Sequence, residues 1–147
     1  MSKKPFTEEE FKSIYSKVPR LCVEVVIQSQ EGILLTLRSL PSWNNQWHLP
    51  GGTVLFGEKL EDSVKRVAED ELGASVTVDQ MIGIIEYPSE QKERGYGHGI
   101  GIAYLCYLNS PDIKLNAEAS EAKFFQSAPE NIIQEQRYFL KSKKLLE

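Results

Sequence analysis

The segment that most restricts the fold is Gly52-Thr-Val-Leu-Phe-Gly-Glu58 followed by Arg66-Val-Ala-Glu-Asp-Glu-Leu-Gly73, a glycine turn leading into a helix dense in acids. Leu60, Val64, Val67, Ala68 and Leu72 recur at spacings of three and four, so one stripe of this helix must be covered by a core. Glu61 and Asp62 lie in its first turn, where negative charge is favoured, and Gly73 is placed to end it. At about 100° per residue, Asp70 and Glu71 fall at one border of the stripe, and Glu69 points to the far side. Two carboxylates at such a rim can share a cation. Mg²⁺ needs only one or two protein carboxylates when a backbone carbonyl, waters and substrate phosphates supply its other oxygens. A solvated acidic face is the plain alternative, and the flanking glycines and fixed spacing weigh against it.

Elements on either side of this helix have both periods. Thr7 and Glu10 have the spacing of a capping box, and Phe11, Ile14, Tyr15 and Val18 form an apolar face, which predicts a helix over 6–18 that docks on the rest of the chain. Residues 21–27 and 32–37 read as a hairpin, 76–78, 81–87 and 101–108 as further strands, and 123–126 as a weak last strand. Ile132, Ile133, Gln136, Phe139 and Leu140 predict an amphipathic helix within 129–146. The chain is thus read as one α/β domain, 1–147, with no repeat or low-complexity linker.

Several other residues are suited to ligand chemistry. Arg38 ends a strand, and its planar fork matches a phosphate; a plain surface arginine is the other reading. Glu24 interrupts an apolar strand, so it either faces solvent by alternation or accepts hydrogen bonds from a base edge such as guanine. Tyr87, Tyr96, Trp43 and Trp47 could stack on a base, although Trp47 is more simply a core residue. The polar, glycine-rich connection 88–101 reads as a mobile hairpin tip or lid, and its His98 can act as acid, base or phosphate donor. His48 is read as a satisfied, partly buried histidine.

Composition narrows the classes. Net charge −4 argues against a general nucleic-acid binder, which needs many Lys and Arg contacts. Cys22 and Cys106 lie in apolar runs without zinc spacing, so both are read as buried free thiols. No run approaches the 18 apolar residues of a membrane helix, and no apolar segment follows the basic start, which predicts a cytoplasmic protein. A homodimer is compatible with this composition.

The spacing Gly52, five residues, Glu58, seven residues, Arg66, then Glu71 and Gly73 resembles the Nudix box, Gly-x5-Glu-x7-Arg-Glu-U-x-Glu-Glu-x-Gly-U, over 52–74. Arg38 and Trp47-His-Leu-Pro-Gly-Gly52 ahead of it extend the resemblance across most of 20–127. The resemblance implies an α/β/α sandwich with a mixed sheet that hydrolyses a nucleoside diphosphate linked to another moiety, with Mg²⁺ or Mn²⁺. It further implies that Asp70, Glu71 and the Gly52 carbonyl hold metal, and that Arg66 braces Glu58 or its neighbours. The box departs from the pattern twice: Val67 replaces the glutamate after the arginine, and Asp70 shortens the first of the final pair. A reduced box with a similar leading helix and an acid in the first strand resembles the GDP-mannose mannosyl hydrolase branch, which cleaves at the sugar carbon. Two of that branch's functional positions differ, Thr53 standing for an arginine and Ala119 for a histidine base. Glu118, one position earlier, matches a further metal-binding carboxylate of other Nudix enzymes. Glu118 is the first candidate for the water-activating base and His98 the second. Attack at phosphorus is preferred, with attack at the sugar carbon and a nucleotide-binding module of reduced catalysis left open.

Overall fold

The computed structural model describes residues 4–147. Its elements are α1 (Glu8–Tyr15), β1 (Arg20–Ser29), β2 (Gly32–Arg38), β3 (Trp47–His48), β4 (Gly51–Thr53), α2 (Leu60–Leu72), β5 (Val76–Glu86), α3 (Glu90–Arg94), β6 (Gly99–Leu108), β7 (Ala119–Phe125) and α4 (Gln134–Ser142). Seven strands among the described residues form a sheet of order β3-β2-β1-β6-β5, with β4 also on β1 and β7 on β2. β1 and β6 run parallel from Arg20↔Gly99 to Ile27↔Cys106, and the other pairings are antiparallel.

Central position explains why β1 is buried continuously from Cys22 to Ile27. Alternation sends Val23, Val25 and Ile27 to the α2 stripe of Val64, Val67, Ala68 and Leu72. Val26 packs on the opposite face with Ile33, Leu35 and the Phe139 and Leu140 side chains of α4. Helices thus cover both faces, giving the expected α/β/α sandwich on a mixed sheet. Gly73 ends α2 in the left-handed region at φ 58, its N–H donating to Glu69 O at 2.9 Å.

Boundaries differ where local pattern competes with pairing. β5 is one strand over Val76–Glu86 instead of two, because bulges at Val78/Gln80 and Met81/Gly83 absorb the polar interruption without breaking its pairing to β6. β7 starts four residues earlier than the weak 123–126 pattern indicates, since β2 supplies partners back to Ala119. The last helix is shortened to Gln134–Ser142: Asn131 O takes the Trp47 N–H at 2.8 Å, and Trp47 O takes that of Ile133 at 3.0 Å, keeping the lead-in extended. α1 has the expected Thr7 and Glu10 capping box but runs only Glu8–Tyr15 and has no buried residue. The 88–101 connection contains α3 and the start of β6, and its Glu90 is only 1% exposed.

Candidate active site

The box begins with a rigid clamp. Arg66 on α2 donates to both oxygens of Glu58, Nε to Oε2 at 2.7 Å and Nη2 to Oε1 at 3.0 Å, and Nη2 also reaches Thr53 O at 2.8 Å. Leu55 N–H and Ser63 O–H donate to the same carboxylate. Hydrogen bonding from Arg66 therefore holds Glu58 down at about 2. Arg66 Nη1 lies 3.5 Å from Asp70 Oδ2, one helical turn on, so the arginine ties β4, the turn and α2 together.

Asp70 and Glu71 thus engage different partners. Glu71 leaves the arginine side and accepts the Gly51 N–H at 3.2 Å. Burial pushes its acid well above the ordinary range, and the charges of Glu118 and then Glu24 push it further. Gly52 sits on β4 opposite Val23, and a Cβ there would meet Val67 Cγ2 at 3.1 Å. Val67, which replaces the box glutamate, is 2% exposed and belongs to the core between α2 and β1.

Glu118 approaches Glu71 from the segment leading into β7. Asn116 shapes that segment: its Oδ1 accepts the Glu118 N–H at 2.9 Å while its Nδ2 donates to Asp70 O at 3.1 Å. Glu118 O accepts the Ser39 N–H, and its carboxylate lies 3.2 Å from Lys4 Nζ. Arg38 stands in the field of both Glu118 and Glu71, although burial foremost, and then Arg94, lower its pKa. Its Nε and Nη2 bind Ser42 O and Oγ at 2.8 and 2.9 Å, and its guanidinium covers the Trp43 ring at 5.6 Å. Trp43 itself is 7% exposed, so it supports Arg38 instead of offering a free stacking face.

Glu24 neither faces solvent nor lies open to a ligand: it is 6% exposed beside Tyr87. Gln136 Nε2 donates to Glu24 Oε2 at 3.3 Å and to Tyr87 Oη at 2.9 Å, while Gln136 Oε1 accepts the Leu49 N–H at 2.7 Å. Tyr87 also meets Trp43 edge to face, with centroids 6.4 Å apart. Burial raises Glu24 to about 8. Because the folded value lies above the unfolded one, its contribution to stability is full below about pH 4.5 and is lost as pH rises through about 8. Glu24→Gln should flatten part of the decline between about pH 5 and pH 8 and gain up to roughly 4 kcal/mol relative to the parent at the alkaline end. Denaturant titrations across that range measure it, and unchanged slopes would assign the decline to other groups.

His48 has the satisfied environment expected of it, with Nε2 3.1 Å from Thr36 Oγ1, and burial lowers it to about 3. His98 is exposed and lines a separate surface cleft with Tyr15, Lys17 and Gln91. Cys22 and Cys106 are buried free thiols, as expected.

Gln136 was read from the sequence as one position of an apolar helix face, and its role in serving Glu24 and Tyr87 escaped that pattern. Arg20, Glu90 and Arg94 carry no joint signal in the sequence, because Arg20 starts β1, 70 residues before Glu90 in the glycine-rich connection. The glycines themselves held one. Cβ atoms at Gly97 and Gly99 would run into the Glu90 carboxylate, and one at Gly101 into Glu24. Their spacing of two makes room for buried acids along one face of β6.

Among the described residues, no three His, Cys, Asp or Glu side chains converge closely enough to hold a metal by themselves. The donor chemistry nevertheless fits a hard divalent cation: Glu71 and Glu118 offer carboxylate oxygens whose like charges oppose each other, with Asp70 and the Gly52 carbonyl on the same helix and turn. Substrate phosphate oxygens and water would complete such a shell.

The family profile described as NUDIX domain matches residues 18–143. The low-salt glycan biosynthesis protein Agl8 of Haloferax volcanii is 30% identical over 128 residues, covering 85% of this chain and 82% of that protein. An ADP-ribose pyrophosphatase of Methanocaldococcus jannaschii is 30% identical over 107 residues, covering 73% of this chain and 62% of that protein. The crystal structure of a MutT NUDIX hydrolase from Burkholderia pseudomallei superposes with a TM-score of 0.75 at 23% identity, over 84% of this chain and 97% of that one. A domain match over 18–143 leaves little of the sequence outside it, and the chain therefore belongs to the Nudix family, as a Nudix hydrolase.

Proposed function

We propose that the enzyme hydrolyses a nucleoside diphosphate linked to another moiety, a nucleotide sugar or a nucleotide, with Mg²⁺ or Mn²⁺, and that water attacks at the diphosphate. The observation that carries this reading is the opposition of Glu71 and Glu118 beside Arg38, an acidic pair that a divalent cation would relieve next to a guanidinium suited to phosphate. Glu71, Glu118 and the Gly52 carbonyl would hold the cation, which would supply charge stabilisation and a more acidic water, with Asp70, ion-paired to Arg66, at the edge of the set. Arg38 receives phosphate charge. Glu58 and Arg66 fix the turn and the first part of α2 so that the donors keep their places. Glu118, whose charge acts on Glu71, takes the proton from water; His98, the second candidate, lines a separate cleft. Glu24 and Tyr87, tied together by Gln136, form a buried support behind the site and do not meet the substrate directly.

A second reading, cleavage of a nucleotide sugar at the sugar carbon, draws support from the 30% identity to the glycan biosynthesis protein Agl8. A panel of nucleoside diphosphate sugars and nucleoside triphosphates, assayed with and without Mg²⁺ in ¹⁸O-labelled water, separates the two. Label in phosphate is expected, and Glu118→Gln should lower turnover far more than His98→Ala. Label in the sugar, with His98→Ala the more damaging change, would restore cleavage at carbon; saturable binding without turnover would leave a nucleotide-binding module.

A further inference from the structure

Beyond the Arg38 end of the site lies a charged group that the proposed reaction does not use. Arg20, at the start of β1, and Arg94, on α3, both face Glu90 Oε2, at 3.4 and 3.3 Å, and the Glu90 side chain is only 2% exposed. One buried carboxylate is thus shared by two guanidiniums. Arg20 Nη1 donates to Thr53 Oγ1 at 3.0 Å, which anchors it to the strand that carries Gly52. Arg20 Nε is buried without a hydrogen-bond acceptor among the described residues, whereas Arg94 Nε meets Glu90 Oε2 at 3.3 Å as an ion pair without hydrogen-bond geometry. Arg94 donates no hydrogen bond to any described residue, although it makes the Glu90 ion pair and lies over two rings.

A partly covered guanidinium whose donors are not all met gains from an acceptor, and the Arg20 and Arg94 side chains keep 14% and 24% of their exposure, through which one can approach. The surroundings are arranged to hold these two in place and partly dry. Phe11 of α1 lies over both, 5.5 Å from Arg20 and 5.7 Å from Arg94. Because α1 buries no residue of its own, this aromatic contact is a principal attachment of the helix, and it forms a roof. Gly97 and Gly99 clear the floor for Glu90. Arg38 also feels the charges of Arg94 and Arg20, so the three guanidiniums share one field that continues from the Glu71 and Glu118 end.

We propose that Arg20 and Arg94, bridged by buried Glu90 and roofed by Phe11, form an oxyanion subsite that takes a phosphate group. On the reading given above this is a phosphate of the nucleoside diphosphate substrate remote from the metal carboxylates; free phosphate offers the same oxygens. Guanidinium donors match a tetrahedral oxyanion in geometry and charge. The ion pair with Glu90 keeps both forks oriented before the ligand arrives, so little side-chain entropy remains to be lost on binding.

The test reads the arginine Nε–H resonances of the ¹⁵N-labelled full chain, without metal, during titration with inorganic phosphate, and separately with AMP and adenosine. Saturable shifts of the Arg20 and Arg94 signals are expected with phosphate and AMP, and none with adenosine. Tighter binding of AMP than of phosphate identifies the nucleotide as source, and equal affinities identify phosphate alone. Arg94→Gln should weaken phosphate binding about tenfold, the loss of one charge-assisted contact, and Arg94→Lys should recover part of it. A structural role alone would alter melting temperature equally with and without phosphate; the proposal requires that the phosphate-induced rise itself shrink in Arg94→Gln. The same titration on Glu71→Gln should be unaffected even though turnover is lost, which keeps this subsite separate from the hydrolytic reading. Unmoved resonances in the parent chain, or equal phosphate affinity in Arg94→Gln, overturn the proposal.

Discussion

Glu71→Gln is expected to lower Mg²⁺-dependent turnover by roughly a hundredfold or more while leaving folding stability unchanged or higher. Both halves follow from where the carboxylate sits. Its Oε2 accepts the Gly51 N–H at 3.2 Å, a bond that the amide oxygen of glutamine can keep. The charge is another matter, since burial and the neighbouring Glu118 and Glu24 hold the acid well above its ordinary range. Removing it relieves repulsion in the free protein and removes the donor with most to gain from a cation. Several kcal/mol of transition-state stabilisation by a bound metal ion correspond to a loss of that size. Turnover at saturating Mg²⁺, measured beside a denaturant titration of the metal-free protein, gives both values. Parent-like activity would remove Glu71 from the metal set, and a large loss of stability would make it a structural residue.

How much of this could be read beforehand depends on whether a residue's partners are local. The α2 stripe and Gly73 are set by helical period and chain geometry, and both appear as read. The clamp of Glu58 by Arg66 has the fixed spacing of one turn entering one helix, so the family resemblance located it. Glu24 shows the opposite case. Strand alternation offered solvent or ligand, whereas its actual partner Gln136 is 112 residues away on a helix covering the same face. No local pattern encodes such a meeting. The connection 88–101, which holds α3, the start of β6 and a buried Glu90, escapes local pattern for a related reason: glycines at 97, 99 and 101 suggest a bare loop when taken singly. Read against the carboxylates of Glu90 and Glu24, they are positions where a side chain would not fit. Asn116, which positions Glu118 beside α2, combines a local bond from the Glu118 N–H two residues on with one to Asp70 O across 46 residues, and only the second is beyond local pattern.

Val67→Glu is expected to destabilise the metal-free protein by about 3 kcal/mol and to make its stability rise with Mg²⁺. Val67 is 2% exposed, packed between α2 and β1, and its Cγ2 lies where a side chain on Gly52 would begin. A carboxylate placed there loses hydration without gaining a partner, which costs several kcal/mol in a protein interior. Val67 also precedes Glu71 by four residues, so the two share a helix face, and a longer side chain can reach past Gly52 toward that acid. In the free protein the added charge joins Glu71 and Glu118 and worsens their repulsion; with a divalent cation the same charge becomes a ligand. Binding to the folded state alone then restores stability by mass action. Thermal unfolding across an Mg²⁺ series, with calorimetric titration of the same variant, measures both effects. Destabilisation without metal rescue would mean that the new acid stays in the core, and that the hydrophobic residue at 67 closes one ligand position for good.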